Sequence, residues 1–152
     1  MALELVDGHV MWKYGLGSTP PASIKSNLTY NDGLWHQVIA TRRGKEGDLT
    51  VRTEGKAPDE VTGSSGGQFS QLDLSPQTAR IFAGGVPDNF TLPTDVVNSR
   101  FIGNLDDYTY SENNIRLGLW NFMDGKANEQ GICVAKFSDW GSLRSSQSEA
   151  SH

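Results

Sequence analysis

Asn31-Asp32-Gly33-Leu34-Trp35-His36-Gln37-Val38 reads as a tight turn running into a strand. Asn, Asp and Gly tolerate the positive φ that such a turn uses. The Trp that follows reads as a core anchor at the head of the strand. The β-forming run covers 34–43, with Trp35, Val38, Ile39 and Thr41, and stops at Gly44-Lys45-Glu46-Gly47, which is turn chemistry again. Beyond that turn, Leu49, Val51 and Thr53 alternate with Asp48, Thr50, Arg52 and Glu54. Alternation of this kind marks a strand with one buried face. The stretch 31–54 therefore predicts two strands joined as a hairpin.

The same period of two recurs on both sides. Val10, Trp12 and Tyr14 alternate with His9, Met11 and Lys13. Further strands are expected at 2–6, 69–74, 78–83, 100–110 and 132–137, which makes about eight short strands separated by turn signals. No window carries a 3.6-residue period. The stretch 55–68, rich in Gly and Ser, reads as a long loop, and the Ser-rich tail 141–152, nearly devoid of apolar residues, reads as disordered. The fold class expected is all-β, an antiparallel two-sheet sandwich over 1–140.

Bulk composition fits one soluble domain. The chain has 152 residues, 36% hydrophobic and 20% charged, with four Trp, four Tyr and six Phe for a core. A net charge of −5 argues against a nucleic-acid partner, which calls for a basic stripe. No apolar run approaches the ~20 residues of a membrane-spanning helix, so no membrane insertion is expected. The first residues, Met1-Ala2-Leu3-Glu4-Leu5-Val6-Asp7, lack the basic and apolar regions of a signal peptide. If the protein is secreted, its signal lies in a longer precursor. The single cysteine, Cys133, cannot form an internal disulfide and reads as a small buried hydrophobe. By itself it leans toward a reducing compartment. The sequons Asn27-Leu28-Thr29 and Asn89-Phe90-Thr91, both read as loops, make Asn27 and Asn89 N-glycosylation candidates and lean toward secretion.

Four ordered stretches carry a family resemblance. They are Leu3-Glu4-Leu5-Val6-Asp7-Gly8-His9-Val10 before Tyr14-Gly15-Leu16-Gly17-Ser18, then Asp32-Gly33-Leu34-Trp35-His36-Gln37-Val38, then Ile81-Phe82-Ala83-Gly84-Gly85-Val86-Pro87, then Phe101-Ile102-Gly103-Asn104-Leu105. Together, over roughly 1–137, they resemble laminin G-like domains, most of all those of laminin α chains. The resemblance implies a jelly-roll sandwich, here without the family's first strands. It also implies an extracellular, basement-membrane module that binds cell-surface receptors of the integrin or dystroglycan type, or sulfated glycans. The family's disulfide joins the position of Asn104 to that of Cys133, so it is missing here. Such a bridge is typically worth ~2–4 kcal/mol. Many family members hold one Ca²⁺ at the sandwich rim, with an acid in the loop after Gly17. That loop reads Ser18-Thr19-Pro20-Pro21 here, without a carboxylate. Calcium prefers several oxygen ligands, charged ones among them, so no tight calcium site and no other cofactor are expected. Asp88 and Asp95 are not assignable to the family's second acid, and Asp106-Asp107, read as adjacent strand residues, point to opposite faces.

The binding residues expected are Arg42, Arg43, Lys45 and Arg52. If their two strands pair, Arg42 or Arg43 approaches Arg52 across the sheet. Such a patch holds sulfates or carboxylates through Arg forks and the Lys point charge. The bland alternative is a solvated hairpin offset by Glu46, Asp48 and Glu54. Enzyme chemistry finds little support. His9, His36 and His152 lack metal-ligand spacing, and no Gly-x-Ser-x-Gly elbow or phosphate loop occurs. The nearest acidic pair for a polysaccharide hydrolase, Glu46 and Asp48, reads as lying at a turn. Two rival readings stand beside the binding module: that hydrolase, and a non-binding remnant of a shortened domain.

Overall fold

A computed structural model of the chain describes residues 1–17, 20–75, 77–112, 115–118 and 133–136. The chain divides into two compact units, one of Met1–Asp73 with Leu92–Asn98, the other of Leu74–Thr91 with Ser99–His152. No helix occurs among the described residues, and every strand pairing is antiparallel.

The first unit is a two-sheet sandwich. β1 (Ala2–Val6), β2 (His9–Tyr14) and β3 (Ala22–Thr29) form one sheet in that order. β4 (Gln37–Arg43), β5 (Glu46–Arg52) and β6 (Asp59–Ser64) form the other. The β1–β2 turn is Asp7-Gly8, both at positive φ (50° and 82°), the two-residue geometry whose twist suits a hairpin. Val10, Tyr14, Leu16, Ala22, Ile24, Leu49 and Val51 make the core between the sheets. The period-two reading placed Val10, Tyr14, Leu49 and Val51 on the buried face, and there they lie.

Close approach of the sheets depends on two glycines. Gly47 and Gly63 are register partners on β5 and β6. A Cβ on Gly47 would fall 2.6 Å from Tyr14 Oη and 2.9 Å from Ile24 Cδ1, and one on Gly63 would fall 2.7 Å from Ile24 Cγ1. The gap they leave lets the Tyr14 hydroxyl donate to Lys45 O at 2.6 Å. Gly47→Ala should therefore destabilise the fold by about 2 kcal/mol through overpacking. A urea midpoint lowered at constant slope checks this, and an unchanged midpoint would refute it.

Several sequence expectations change here. β3 occupies a stretch whose sequence reads as loop, and β6 forms within the 55–68 stretch that reads as one. Asn27 accordingly lies on a strand. β3 carries an irregularity opposite β2, where His9 pairs with Thr29 but Met11 pairs with Lys25. Ser26, almost fully buried, serves that break: its hydroxyl accepts from Val10 N at 3.0 Å and donates to Leu28 O at 2.8 Å. Residues 69–74 form no strand, although Leu72 packs on the core. Trp35 precedes β4 and is 66% exposed, so it is no core anchor.

In the second unit, β7 (Arg80–Ala83) pairs with β10 (Cys133–Lys136), and β8 (Thr109–Glu112) with β9 (Ile115–Gly118). Cys133 is the register partner of Ala83. The expected strand 100–110 reduces to a bridge between Gly85 and Arg100 and the start of β8. Asp106 and Asp107 lie outside any strand, with Asp107 at φ 47°, so strand alternation does not set their directions. The tail 141–152 and the loop residues Ser18 and Thr19 lie outside the described residues.

Candidate functional site

Polar groups gather at both ends of the β4–β5 hairpin. At its tip, Arg43 pairs with Glu46 across a two-residue turn whose Gly44 has φ 61°. Arg42 Nη1 donates to Gly44 O (2.6 Å) and Ser70 O (3.3 Å). Lys45 Nζ donates to Gly67 O. Arg43 Nη2 lies 3.4 Å from Asp48 Oδ2, with its side chain 86% exposed, an ion pair worth at most ~1 kcal/mol. Two of the four expected cations, Arg42 and Lys45, thus reach the 65–70 loop, while Arg43, the next residue on β4, leaves the opposite face toward Asp48. A guanidinium has five N–H donors, so Arg42 and Arg43 keep donors for a ligand.

Arg52 is not among them. Its register partner is Gln37, whereas that of Arg42 is Gly47. Five residues of strand, about 17 Å, separate the two ends. The expected approach of Arg42 or Arg43 to Arg52 is corrected by this register. Glu46 and Asp48 also change place: they are the first and third residues of β5, on one face. Glu46 accepts from Ser64 Oγ (3.2 Å), and Asp48 from Thr41 Oγ1 (3.3 Å) and Arg43.

The opposite end holds a network that sequence reasoning missed. Asp59, 6% exposed, accepts at Oδ1 from Asn27 Nδ2 (2.7 Å) and at Oδ2 from Leu28 N (2.9 Å) and the Tyr30 hydroxyl (2.9 Å). Burial pushes its carboxyl up, but these donors outweigh burial and hold it below the usual carboxylate range. Tyr30 is pushed up to about 12, by burial first and then by donating to the Asp59 carboxylate and by its charge. The Tyr30 ring meets His36 edge-on at 4.9 Å. His36 Nε2 donates to Asp32 Oδ1 at 2.7 Å, and its Nδ1 shares a 2.8 Å hydrogen bond with Thr53 Oγ1. The His36 bond, then the Leu34 amide, hold the Asp32 carboxyl below its usual range. His36 thereby ties the 31–36 turn to the end of β5. A histidine beside the turn was visible in the sequence; its two partners were not.

The remaining candidates are dispersed. Asn89 is exposed in a turn closed by Phe90 N donating to Pro87 O at 2.9 Å. Asn27 is exposed as well but gives an amide hydrogen to Asp59. Asp88 accepts from Arg100 at 3.0 Å. Among the described residues, no three of His, Cys, Asp and Glu converge as a metal site would need.

Facing antiparallel sheets with polar clusters at the loop ends define an all-strand sandwich module. The chain belongs to the laminin G domain family, whose model matches residues 1–113. It is 34% identical over 136 residues to the laminin subunit alpha of Drosophila melanogaster, covering 86% of this chain. It is 36% identical over 103 residues to the mouse basement membrane-specific heparan sulfate proteoglycan core protein, covering 68% of this chain. The chain spans 4% and 3% of those relatives' lengths. The crystal structure of the LG1-3 region of the laminin alpha2 chain superposes with a TM-score of 0.67 at 26% identity, over 88% of this chain and 24% of that one. That likeness identifies the sandwich as the laminin jelly roll. No described helix is long and apolar enough to cross a membrane.

Proposed function

We propose that residues 1–140 form an extracellular matrix or cell-surface adhesion module, secreted within a longer precursor, that binds partners through its rim loops and performs no catalysis. The partners are cell-surface receptors of integrin or dystroglycan type, or sulfated glycans. One observation carries the reading: the laminin G match over 1–113, with basement-membrane proteins among the relatives. The hairpin tip supplies a fitting contact, since Arg42 and Lys45 lie on one side of it and Arg43 on the other, all within four residues of a two-strand turn. Asn89, on its exposed turn, is the more open of the two glycan-acceptor candidates.

Heparin chromatography tests the glycan arm. The parent chain should be retained at low salt, and an Arg42→Ala/Arg43→Ala double variant should elute at lower salt, in keeping with fewer phosphate-like or sulfate contacts. Equal elution of the two would remove the tip from the binding surface. Binding to immobilised receptor ectodomains tests the protein arm. Turnover of a β-glucan that disappears in Glu46→Gln would instead favour the hydrolase, and absence of a cooperative melt would favour a non-binding remnant.

A further inference from the structure

The sequons Asn27-Leu28-Thr29 and Asn89-Phe90-Thr91 share one chemical signal, but the fold treats them in opposite ways. The first is gripped by a single carboxylate. Asp59 accepts the Asn27 side-chain amide at Oδ1 (2.7 Å) and the Leu28 backbone amide at Oδ2 (2.9 Å). That carboxylate is itself nearly buried and accepts from the Tyr30 hydroxyl too, so three donors fix it. Thr29, the last residue of the sequon, is the ladder partner of His9. The nitrogen that a glycan would occupy is therefore engaged in a charge-assisted bond. Every part of the grip lies between Asn27 and β6, which ends at Ser64. It can close before later parts of the chain have folded, since folding during synthesis proceeds from the N-terminal side.

The second sequon has no such holder. Asn89 is exposed and lies outside any strand, in the turn that Phe90 N closes on Pro87 O at 2.9 Å. Among the described residues, its side-chain amide makes no hydrogen bond. Phe90 remains 44% exposed although its ring meets Phe82 edge-on at 5.1 Å. An ordered aromatic ring thus stands in the open beside the acceptor, an apolar platform for the C–H face of a sugar.

We propose that Asp59 withholds Asn27 from glycosylation and that the chain carries its N-glycan on Asn89 alone, the first sugar lying against Phe90. The inference rests on the secreted, extracellular reading above and adds a modification to it. The donor is an oligosaccharide joined at its anomeric carbon to a lipid diphosphate, and the catalyst is a transferase of the secretory pathway. The Asn89 amide nitrogen attacks that carbon. The new C–N bond forms as the bond from carbon to diphosphate oxygen breaks. The lipid diphosphate leaves, and one amide proton passes to a base of the transferase. For the Asn27 nitrogen to turn toward the same donor, it must first abandon Asp59.

Secretion of the full chain from cultured animal cells behind an added signal peptide tests this. Sites are mapped by mass spectrometry after enzymatic deglycosylation in heavy-oxygen water, which tags each formerly occupied asparagine. The parent should carry one glycan, on Asn89, and Asn89→Gln or Thr91→Ala should remove it. Thr29→Val, which ends the first sequon but keeps the Asn27 amide, should change nothing. Asp59→Ala should add a second glycan, on Asn27, read in cell material as well as medium so that a retained variant still reports. Gly47→Ala weakens the fold elsewhere and leaves the grip in place, so it should keep a single glycan, which separates release of Asn27 from general unfolding. A glycan on Asn27 of the parent, a bare Asn89, or an Asp59→Ala variant with Asn27 bare overturns the proposal. Because the signal peptide is added, such a failure leaves the adhesion-module reading to be decided by the heparin and receptor experiments.

Discussion

Glu4→Ala should destabilise the protein by about 3–5 kcal/mol, the range for stripping one partner from a buried ion pair. Glu4 Oε1 and Lys13 Nζ are 2.7 Å apart, with side chains only 5% and 9% exposed. Lys13 also donates to Asp95 O. The Glu4 carboxylate further accepts from Val97 N (3.1 Å) and Asn98 N (3.0 Å), and Asn98 Nδ2 returns a bond to Leu5 O (2.7 Å). Without Glu4, a lysine charge and two amides lose their partner together. Urea unfolding should show the loss as a lower midpoint at constant slope, and exchange at the Val97 and Asn98 amides should quicken. Removing both charges, as Glu4→Leu/Lys13→Met, should recover much of the stability, because no uncompensated charge is left inside. A Glu4→Ala variant within 1 kcal/mol of the parent would show the pair to be ornamental. The pair also sets an acid limit. Burial pushes the Glu4 carboxyl up, but the Lys13 bond and the Asn98 and Val97 amides bring it below its usual range. Because the folded value is the lower one, this stability is complete above the ordinary carboxylate range and fades as pH falls through the folded value.

Asp59→Ala should cost about 3 kcal/mol, since hydrogen bonds to a charged group are worth ~1.5–3 kcal/mol each and three donors lose one acceptor. Tyr30→Phe, which removes one of the three, should cost about 1.5 kcal/mol. The Tyr30 phenol offers a direct optical readout. Its value near 12 lies above that of a free phenol, so its contribution to stability is whole below pH ~10 and disappears as pH rises toward 12. Absorbance titration of the phenolate should show Tyr30 ionising late in the parent, alongside the buried Tyr14, and earlier in Asp59→Ala, where burial alone still holds it up. A parent in which no tyrosine titrates late would contradict the network.

The β4–β5 hairpin was legible for a physical reason. Gly44-Lys45 is a turn followed by a strand that alternates from Asp48 to Arg52, and alternation is a direct imprint of a half-buried strand. β3 escaped because its third inward position is Ser26, a polar residue needed to satisfy the irregular ladder. β6 escaped because its inward side is Asp59, Val61 and Gly63. Of these, Asp59 serves the polar network and Gly63 makes room for Ile24. Lys13 broke the pattern from the other side. Alternation set it on the outer face, yet it is 7% exposed, because the 92–98 segment supplies it a carbonyl and Glu4 a charge. Trp35 misled as well: its residue type argued for a core position, but the strand begins two residues later. Of the binding residues, the tip cations were visible as a sequence cluster. The separation of Arg52 was not, since register depends on which turn closes the hairpin.

Rigid sheets presenting binding loops at their rim are the central claim, and hydrogen exchange with and without a heparin oligosaccharide measures it most directly. Slowed exchange confined to the β4–β5 tip and the 65–70 loop beside it, with β2 and β3 amides unchanged, is the expected result. Slowing spread through the strands, or no slowing anywhere at saturating oligosaccharide, would contradict it.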